Sequence, residues 1–231
     1  MVKKNRSNVL VIAAHPDDEV LGCGGVMAKY SGEKDIYIII LGEGISSRHE
    51  KREDASKEEL LGLQSQSIKV GKLLGAKANL FFNFPDNRFD TVPFLDIVKK
   101  IEEIIGEIRP EVIYTHHFGD LNIDHRITFR AVLTATRPIN NCSAKEIYSF
   151  EIPSSTEWSY QKIENPFVPN VYEDISDTFK KKIEAMGIYQ KELREFPHPR
   201  SLKGIEIFAQ KRGVESGLEY AEAFELIKWT K

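Results

Sequence analysis

The stretch VLVIAAHPDDEVLGCGG, residues 9–25, joins an apolar run to a histidine and three carboxylates. Residues 9–14 have the length and β-branched content of a buried strand, and Val20–Tyr30 has the apolar spacing of a helix. A dinucleotide-binding protein opens its first helix with glycine amides that attract pyrophosphate, whereas Asp17, Asp18 and Glu19 would repel an anion. The stretch therefore predicts a strand-to-helix turn of an α/β protein that does not bind nicotinamide or flavin.

The same turn contains half of a possible metal site. His15 and Asp18 are three residues apart, and zinc accepts both imidazole nitrogen and carboxylate oxygen as ligands. Asp17 would then be available to take a proton from water acidified by the cation, and Glu19 could orient a ligand. The alternative is that the acids only cap the helix, because negative charge is favourable in a first turn.

Apolar runs and amphipathic stretches alternate along the chain. Runs of strand length occur at residues 9–14, 36–41, 80–82 and 112–115, and helical spacing occurs at residues 20–30, 53–74 and 94–108. This alternation predicts crossover units on a mainly parallel sheet, with strand order 3-2-1-4-5, in one domain over residues 1–231. Later segments predict strands at residues 146–150 and 170–174, a helix at 177–194, and an aromatic loop, Ile152–Pro169, that could form a wall of the substrate pocket.

Composition excludes several classes of function. Lysine and arginine number 32 against 35 acids, and the net charge of −3 gives no general attraction for nucleic acid or anionic membranes. Two cysteines cannot form a disulfide framework, which favours a reducing compartment. The first apolar run is too short for a signal peptide or a membrane span, so we expect a cytoplasmic protein without membrane insertion.

A second polar cluster follows the fourth predicted strand. Residues 115–126, THHFGDLNIDHR, hold three of the six histidines together with two aspartates and one asparagine. In the predicted strand order the first and fourth strands are neighbours where the winding reverses, so both clusters would face one crevice. His125 would be the third metal ligand, and Asp124 would orient an imidazole or steady the site. Asn122 or a nearby histidine could face the reacting carbonyl.

The pair of motifs AHPDDE, residues 14–19, and D-x-N-x-D-H, residues 120–125, resembles the PIG-L/LmbE family of metal-dependent N-deacetylases. The resemblance extends through residues 42–48, 84–88, 197–201, 212–213 and 220–224, and so spans nearly the whole chain. It implies a Rossmann-like three-layer sandwich, a Zn²⁺ cofactor held by His15, Asp18 and His125, and Asp17 as the catalytic base. It also implies an N-acetylated sugar or glycoconjugate as substrate and trimers or hexamers as oligomers.

One position departs from that pattern. Some members have a histidine three residues before the last zinc ligand, proposed to stabilise the oxyanion or protonate the leaving amine, and here that residue is Asn122. His198, between two prolines, is our choice for this catalytic role, because an imidazolium near the metal could supply a proton and positive charge. Asp124, His117 or Asp17 itself could act instead.

Substrate contacts are predicted in the loops at the carboxyl ends of the strands. Arg48 and Arg88 could bind sugar hydroxyls or a phosphate, and Trp158 or Tyr160 could stack on a sugar ring. The apolar segment 220–229 could pack at an oligomer interface or close the core.

Two other functions remain open. A glycosyl or phosphoryl transferase would use Asp17 and Asp18 to hold magnesium, although magnesium prefers oxygen ligands to histidine. A noncatalytic sugar-binding relative would require the loss of a ligand, of the base or of the pocket.

Overall fold

The side chains of the first strand alternate between two apolar cores, one on each face of the central sheet. The computed structural model describes residues 6–46, 50–139, 142–160 and 165–231. Val9, Val11 and Ala13 belong to one core, and Leu10 and Ile12 belong to the other. All five side chains are buried, which explains why this strand is continuously apolar rather than alternating with polar residues.

The described residues form seven strands and six α-helices. The strands are β1 (Asn8–Ala13), β2 (Asp35–Gly42), β3 (Ala78–Phe84), β4 (Val112–His116), β5 (Glu146–Phe150), β6 (Val171–Asp174) and β7 (Ala221–Trp229). The helices are α1 (Asp18–Tyr30), α2 (Lys57–Leu74), α3 (Phe94–Ile108), α4 (Ile123–Ala135), α5 (Phe179–Ile188) and α6 (Leu202–Ser216). None of these described helices is both long and apolar enough to cross a lipid bilayer.

The strands form a single sheet in the order β3-β2-β1-β4-β5-β7-β6. The first five strands of this order are parallel, and β7 pairs antiparallel with both β5 and β6. The predicted order 3-2-1-4-5 and the mainly parallel sheet are therefore confirmed. The order reverses between β1 and β4, and each of these strands runs directly into one of the two polar motifs.

Helices cover both faces of the sheet. Helices α1, α2, α5 and α6 contribute side chains to the core that contains Val9 and Val11. Helices α3 and α4 contribute to the core that contains Leu10 and Ile12. The α/β class and the three-layer arrangement expected from the sequence are confirmed.

The glycines that follow the acidic motif lie at a break in α1. Cys23 has non-helical angles, φ −149° and ψ 25°, and the interrupted helix exposes backbone groups on both sides of it. Glu222 of β7 accepts hydrogen bonds from the amides of Gly25 (2.9 Å) and Val26 (2.8 Å), while Lys182 donates to the carbonyl of Leu21 (2.8 Å). The buried Lys182–Glu222 pair therefore supplies hydrogen-bond partners to the backbone groups left free at the break. These glycines serve packing rather than phosphate binding.

Three helices have other bounds than predicted, and the strand predicted at residues 80–82 is longer, Ala78–Phe84. Helix α2 begins at Lys57 rather than residue 53, because Ser56 and Glu59 form a capping box, and Arg52–Asp54 forms a separate 3₁₀ turn. The helix predicted at residues 177–194 spans only Phe179–Ile188, because the chain turns at the buried Tyr189. Helix α1 begins at Asp18, two residues earlier than predicted, so that the second aspartate already lies in the helix.

The segment at residues 220–229 becomes β7, a strand inside the sheet. Its first five residues are buried between β5 and β6, so the segment closes the core. From the sequence this segment fitted either the core or an oligomer interface, because its apolar content suits both.

Candidate active site

The carboxylate of Asp18 lies at the N-terminal end of α1 and is completely buried. Its Oδ2 accepts a hydrogen bond from the amide of His15 (2.8 Å) and lies 3.3 Å from both His15 Nδ1 and His125 Nε2. Burial alone would raise the pKa of Asp18, but the neighbouring His125 and His116 hold it well below its ordinary value. Asp18 is therefore charged and faces imidazoles rather than solvent.

The structure brings together the three residues predicted as metal ligands. One ligand atom each from His15, Asp18 and His125 lies within 4.8 Å of the other two. Within the described part of the chain, the buried Asp18 Oδ1 and both ring nitrogens of His125 make no hydrogen bond of good geometry, although carboxylate oxygens lie 3.3 Å from Nε2 and 3.1 Å from Nδ1. An unsatisfied buried polar atom costs about 1–3 kcal/mol, and a cation would satisfy Asp18 Oδ1 and His125 Nε2. Two nitrogens and one carboxylate are a donor set that zinc accepts, so these residues fit a metal ion.

In each candidate histidine ligand, the ring nitrogen that points away from Asp18 lies near another carboxylate. Asp124 Oδ2 lies 3.0 Å from His15 Nε2, and Asp120 Oδ1 lies 3.1 Å from His125 Nδ1. Asp86 Oδ1 lies 3.2 Å from the same His15 nitrogen, so His15, Asp86 and Asp124 form a second acidic group. Metal-ligating histidines commonly pair their second nitrogen with a carboxylate, which fixes the orientation of the ring.

These carboxylates raise the pKa values of the two imidazoles. Burial lowers the pKa of His125, but Asp18 and Asp120 reverse that effect and raise it to about 9. Burial also lowers the pKa of His15, and Asp124 and Asp18 raise it well above its ordinary value. Without a cation, protons on these rings balance the buried carboxylates, and a metal ion must displace those protons.

The two histidines at the end of β4 have other partners. His116 Nε2 accepts a hydrogen bond from the amide of Ala14 (2.8 Å), its ring stacks on His125 with centroids 4.0 Å apart, and burial lowers its pKa. His117 lies against β7, with Nδ1 2.8 Å from Glu225 Oε2 and Nε2 3.3 Å from the carbonyl of Asn165. Both nitrogens of His117, one of the candidate proton donors, are therefore engaged.

Asp17 occupies the N-cap position of α1 without a side-chain capping hydrogen bond, and its carboxylate makes an ion pair that the motifs did not predict. Its Oδ2 lies 3.1 Å from Arg200 Nη1, and the Nε of Arg200 donates to Ser154 Oγ (2.8 Å). Burial raises the pKa of Asp17 well above its ordinary value, and Arg200 opposes that rise. A buried carboxylate with a raised pKa beside a candidate metal site has the properties of a general base.

Glu19 supports this turn from the protein interior. Its Oε2 accepts a hydrogen bond from the amide of Asp17 (3.0 Å), and its Oε1 accepts one from the hydroxyl of Tyr189 (2.5 Å). Burial raises the pKa of Glu19 to about 7.

His198 lies at the edge of the site. Its Nδ1 accepts a hydrogen bond from the amide of Arg200 (3.0 Å), and its ring meets Trp158 edge-on with centroids 5.3 Å apart. Burial and the charges of Arg200 and Arg194 lower the pKa of His198. His198 is therefore neutral near pH 7, and contacts the segment that contains Arg200.

The structure describes two of the three residues predicted to bind substrate, Asn122 and Arg88, and they have different surroundings. Asn122 caps α4, with its Oδ1 accepting from the amide of Asp124 (2.8 Å) and its Nδ2 donating to Asn87 (2.9 Å). Arg88 is exposed and lies one residue after Asn87. Arg48 lies outside the described residues.

Asp120, Arg200 and Tyr189 also belong to this site, although no role was predicted for them from the sequence. Asp120 lies within the quoted second motif, so the histidine-carboxylate rule could have assigned it to His125. Arg200 is two residues from His198, and His198 rather than Arg200 was predicted as the functional residue of that loop. No local signal marks Tyr189, because its link to Glu19 spans 170 residues.

Comparison with known proteins supports the resemblance seen in the motifs. The PIG-L family model, described as GlcNAc-PI de-N-acetylase, matches residues 10–136. The uncharacterized deacetylase YaiS of Escherichia coli K12 is 29% identical over 187 residues, which cover 75% of this chain and 85% of YaiS.

Solved structures extend the likeness to the whole fold. N,N'-diacetylchitobiose deacetylase from Pyrococcus horikoshii is 19% identical, with a TM-score of 0.77 over 97% of this chain and 85% of its own. GalB, the 4-carboxy-2-hydroxymuconate hydratase from Pseudomonas putida KT2440, is 18% identical, with a TM-score of 0.76 over 97% and 98% of the two chains. At these identities the two structures show the fold alone. The family match covers more than half of the chain and includes both polar motifs, and the chain therefore belongs to the PIG-L family.

Proposed function

We propose that this protein is a zinc-dependent hydrolase that removes the acetyl group from an N-acetylated amino sugar or sugar conjugate. The observation that carries the proposal is the convergence of His15, Asp18 and His125 beside the buried carboxylate of Asp17, in a chain of the PIG-L family. The family description, GlcNAc-PI de-N-acetylase, and the name of the chitobiose deacetylase support the choice of an acetamido sugar as substrate.

The metal ion would be held by His15, Asp18 and His125. When bound there, zinc would supply Lewis acidity, which acidifies water and polarises a carbonyl group. Asp124 and Asp120 would hold the two imidazoles in orientation through their second nitrogens. The unsatisfied buried atoms Asp18 Oδ1 and His125 Nε2 support this ligand set.

Asp17 would be the general base. Its carboxylate would take a proton from the attacking water, whose oxygen then bonds to the amide carbon. Arg200 would keep Asp17 ionised and oriented, because the guanidinium is 3.1 Å from Oδ2 and is held by Ser154. The carbon–nitrogen bond then breaks, and the products are acetate and a free amine.

The leaving nitrogen requires a proton, for which we propose two sources. Asp17 could return the proton that it took from water, with no other group involved. His198 could donate from Nε2, since its Nδ1 accepts the amide of Arg200. The lowered pKa of His198 favours Asp17 in this role. His117 and Asp124 are less suited, because their partners engage both nitrogens of His117 and both oxygens of Asp124.

Sugar contacts would come from the rim of the site. Trp158 is 41% exposed and Tyr160 is 84% exposed, so that either ring could stack on a sugar face. Asn122, Arg88 and Arg48 remain proposed contacts to sugar hydroxyls or to an anionic group of the conjugate.

Two alternatives are less well supported. A magnesium-dependent transferase would need Asp17 and Asp18 to converge, but Asp17 faces Arg200 while Asp18 faces imidazoles. Addition of water to a carbon–carbon double bond is a second candidate, because the hydratase GalB shares the fold. Hydration would release no acetate, which separates the two reactions.

Acetate release from a panel of N-acetylated sugars, sugar nucleotides and glycoconjugates tests the proposal, with zinc content measured on the same samples. We expect release by the zinc-loaded wild type and loss of release after chelation, restored by added zinc. Release that persists in the metal-free protein would contradict the zinc-dependent mechanism. No release from any acetamide, with zinc bound, would contradict the deacetylase assignment.

A further inference from the structure

The backbone of Asp17 adopts a conformation that L-residues rarely take. Its φ is 106° and its ψ is −32°, at the junction where β1 passes into α1. A non-glycine residue in this region is strained and persists only where its surroundings hold it. The groups that hold the Asp17 peptide therefore help to determine the direction of its carboxylate.

Glu19 connects this peptide to a distant part of the chain. One carboxylate oxygen of Glu19 accepts the amide of Asp17 at 3.0 Å, and the other accepts the hydroxyl of Tyr189 at 2.5 Å. Glu19 and Tyr189 are both completely buried, so that no water competes for these hydrogen bonds.

Tyr189 is placed by the helices on one face of the sheet. It directly follows α5, and its amide donates to the carbonyl of Met186 (3.1 Å). Its hydroxyl also interacts with Ser67 of α2, and α5 packs against both α1 and α2. The hydroxyl is therefore fixed by helices outside the metal motifs, and it fixes the side chain of Glu19 in turn.

We propose that Tyr189 is a positioning residue that acts through Glu19 to hold the Asp17 peptide, and with it the carboxylate of Asp17, in the geometry required for catalysis. The inference extends the proposed function, since it takes Asp17 as the base. It gives a role in the reaction to α5 and Tyr189, which lie outside both polar motifs.

The variant Tyr189→Phe removes the hydroxyl and keeps the ring that packs in the core. We expect kcat to fall about tenfold, the loss of one buried hydrogen bond, with KM and zinc content unchanged. We also expect exchange of the Asp17 amide proton, followed by NMR, to become about tenfold faster. The matched control is Tyr30→Phe, which removes a tyrosine–glutamate hydrogen bond to Glu173 at the other end of α1 and should change neither quantity.

A loss of kcat without faster exchange at Asp17 would overturn the proposal, and so would faster exchange without a loss of kcat. Wild-type values of both in Tyr189→Phe would overturn it as well. If the wild type hydrolyses none of the acetamides, the proposed function has failed, and the exchange rate alone decides whether Tyr189 holds the Asp17 peptide.

Replacement of Glu19 tests the same link from the other side. Glu19→Gln keeps an oxygen that can accept the Asp17 amide, whereas Glu19→Ala removes it. We expect the glutamine variant to retain more of kcat and of amide protection than the alanine variant. Equal losses in the two variants would contradict a role for this hydrogen bond.

Discussion

Residues up to the end of α4 and residues from β5 onward contribute different groups to the candidate active site. All three candidate metal ligands and the carboxylates behind them come from the first region. The groups that surround Asp17 include Arg200 and, through Glu19, Tyr189, both from the second region. The candidate metal site is therefore built by two adjacent strand-to-helix turns, whereas the proposed base depends on contacts from distant parts of the chain.

The difference has a physical origin. Parallel neighbours β1 and β4 end at the same edge of the sheet, so that motifs directly after them meet without help from other elements. Asp17 is buried next to the carboxylates of Asp18 and Glu19, and burial and these charges both raise its pKa. A cation is needed to offset them, and Arg200 supplies it from the second region. Changes at the candidate ligands and at the carboxylates beside them should therefore affect metal binding, whereas changes at Asp17 and at the second-region residues around it should affect the reaction and leave metal binding intact.

The largest effect is expected for the base itself. Asp17→Asn should lower kcat by roughly 10²–10⁴-fold with zinc content unchanged, because it removes proton transfer and keeps the shape of the turn. The measurement is acetate release with metal analysis, and Asp96→Asn, at an exposed acid in the first turn of α3, is the control. Full activity of Asp17→Asn would exclude this residue as the base.

The carboxylate behind His15 should tune metal affinity rather than the reaction. Asp124→Asn is expected to weaken zinc binding by roughly 10–100-fold, because the imidazole loses the nearer of its two carboxylate partners. Competition with a chelator measures this change, and kcat at saturating zinc should fall much less. An unchanged zinc affinity would show that Asp124 has no part in holding the metal site.

Zinc affinity should also depend on pH. The pKa of His125 is about 9 and that of His15 is raised, so zinc must displace protons from both rings at lower pH. Affinity is expected to rise with pH by roughly tenfold per unit for each displaced proton until that pKa is passed. Titration calorimetry in buffers of different ionisation enthalpy counts the released protons, and no release at pH 7 would contradict protonated imidazoles.

A smaller effect is expected from the second region. Arg200→Ala should lower kcat about tenfold near pH 7, equivalent to roughly 1.4 kcal/mol, with zinc affinity preserved. Because Arg200 opposes the raised pKa of Asp17, its loss raises that pKa further, and the acid limb of the pH–rate profile should move to higher pH. Arg200→Lys should move it less. The control is Arg194→Ala, since Arg194 donates only to backbone carbonyls among its hydrogen bonds to described residues.

The smallest effect is expected at the rim. Trp158→Ala should raise KM by about 2–10-fold and leave kcat nearly unchanged, because an exposed ring stacks on substrate without taking part in proton transfer. Trp229→Ala, at an exposed tryptophan near the end of β7, should have no effect. A loss of kcat in Trp158→Ala would instead point to its edge-on contact with His198.

Much of the fold could be predicted from local patterns. The strand at residues 146–150 and the helix at 94–108 have the predicted bounds, since apolar periodicity and Pro110 define them. The helix predicted at 177–194 was too long, because its pattern continues while the buried Tyr189 turns the chain. The strand β7 could not be recognised, because its apolar residues fit an interface equally well.

The sequence by itself determined the donor set of the candidate metal site, because His15, Asp18 and His125 follow the first and fourth strands, which are neighbours in the predicted order and in the sheet. Only the tertiary structure decided which groups surround Asp17. The contacts of Arg200 and Tyr189 with the acidic motif join residues 183 and 170 positions apart, and no local periodicity encodes such a pairing. The side chains that stabilise a buried charge are those that the packed fold brings close to it. Which residues these are depends on how the helices and loops pack, and the local sequence does not show it.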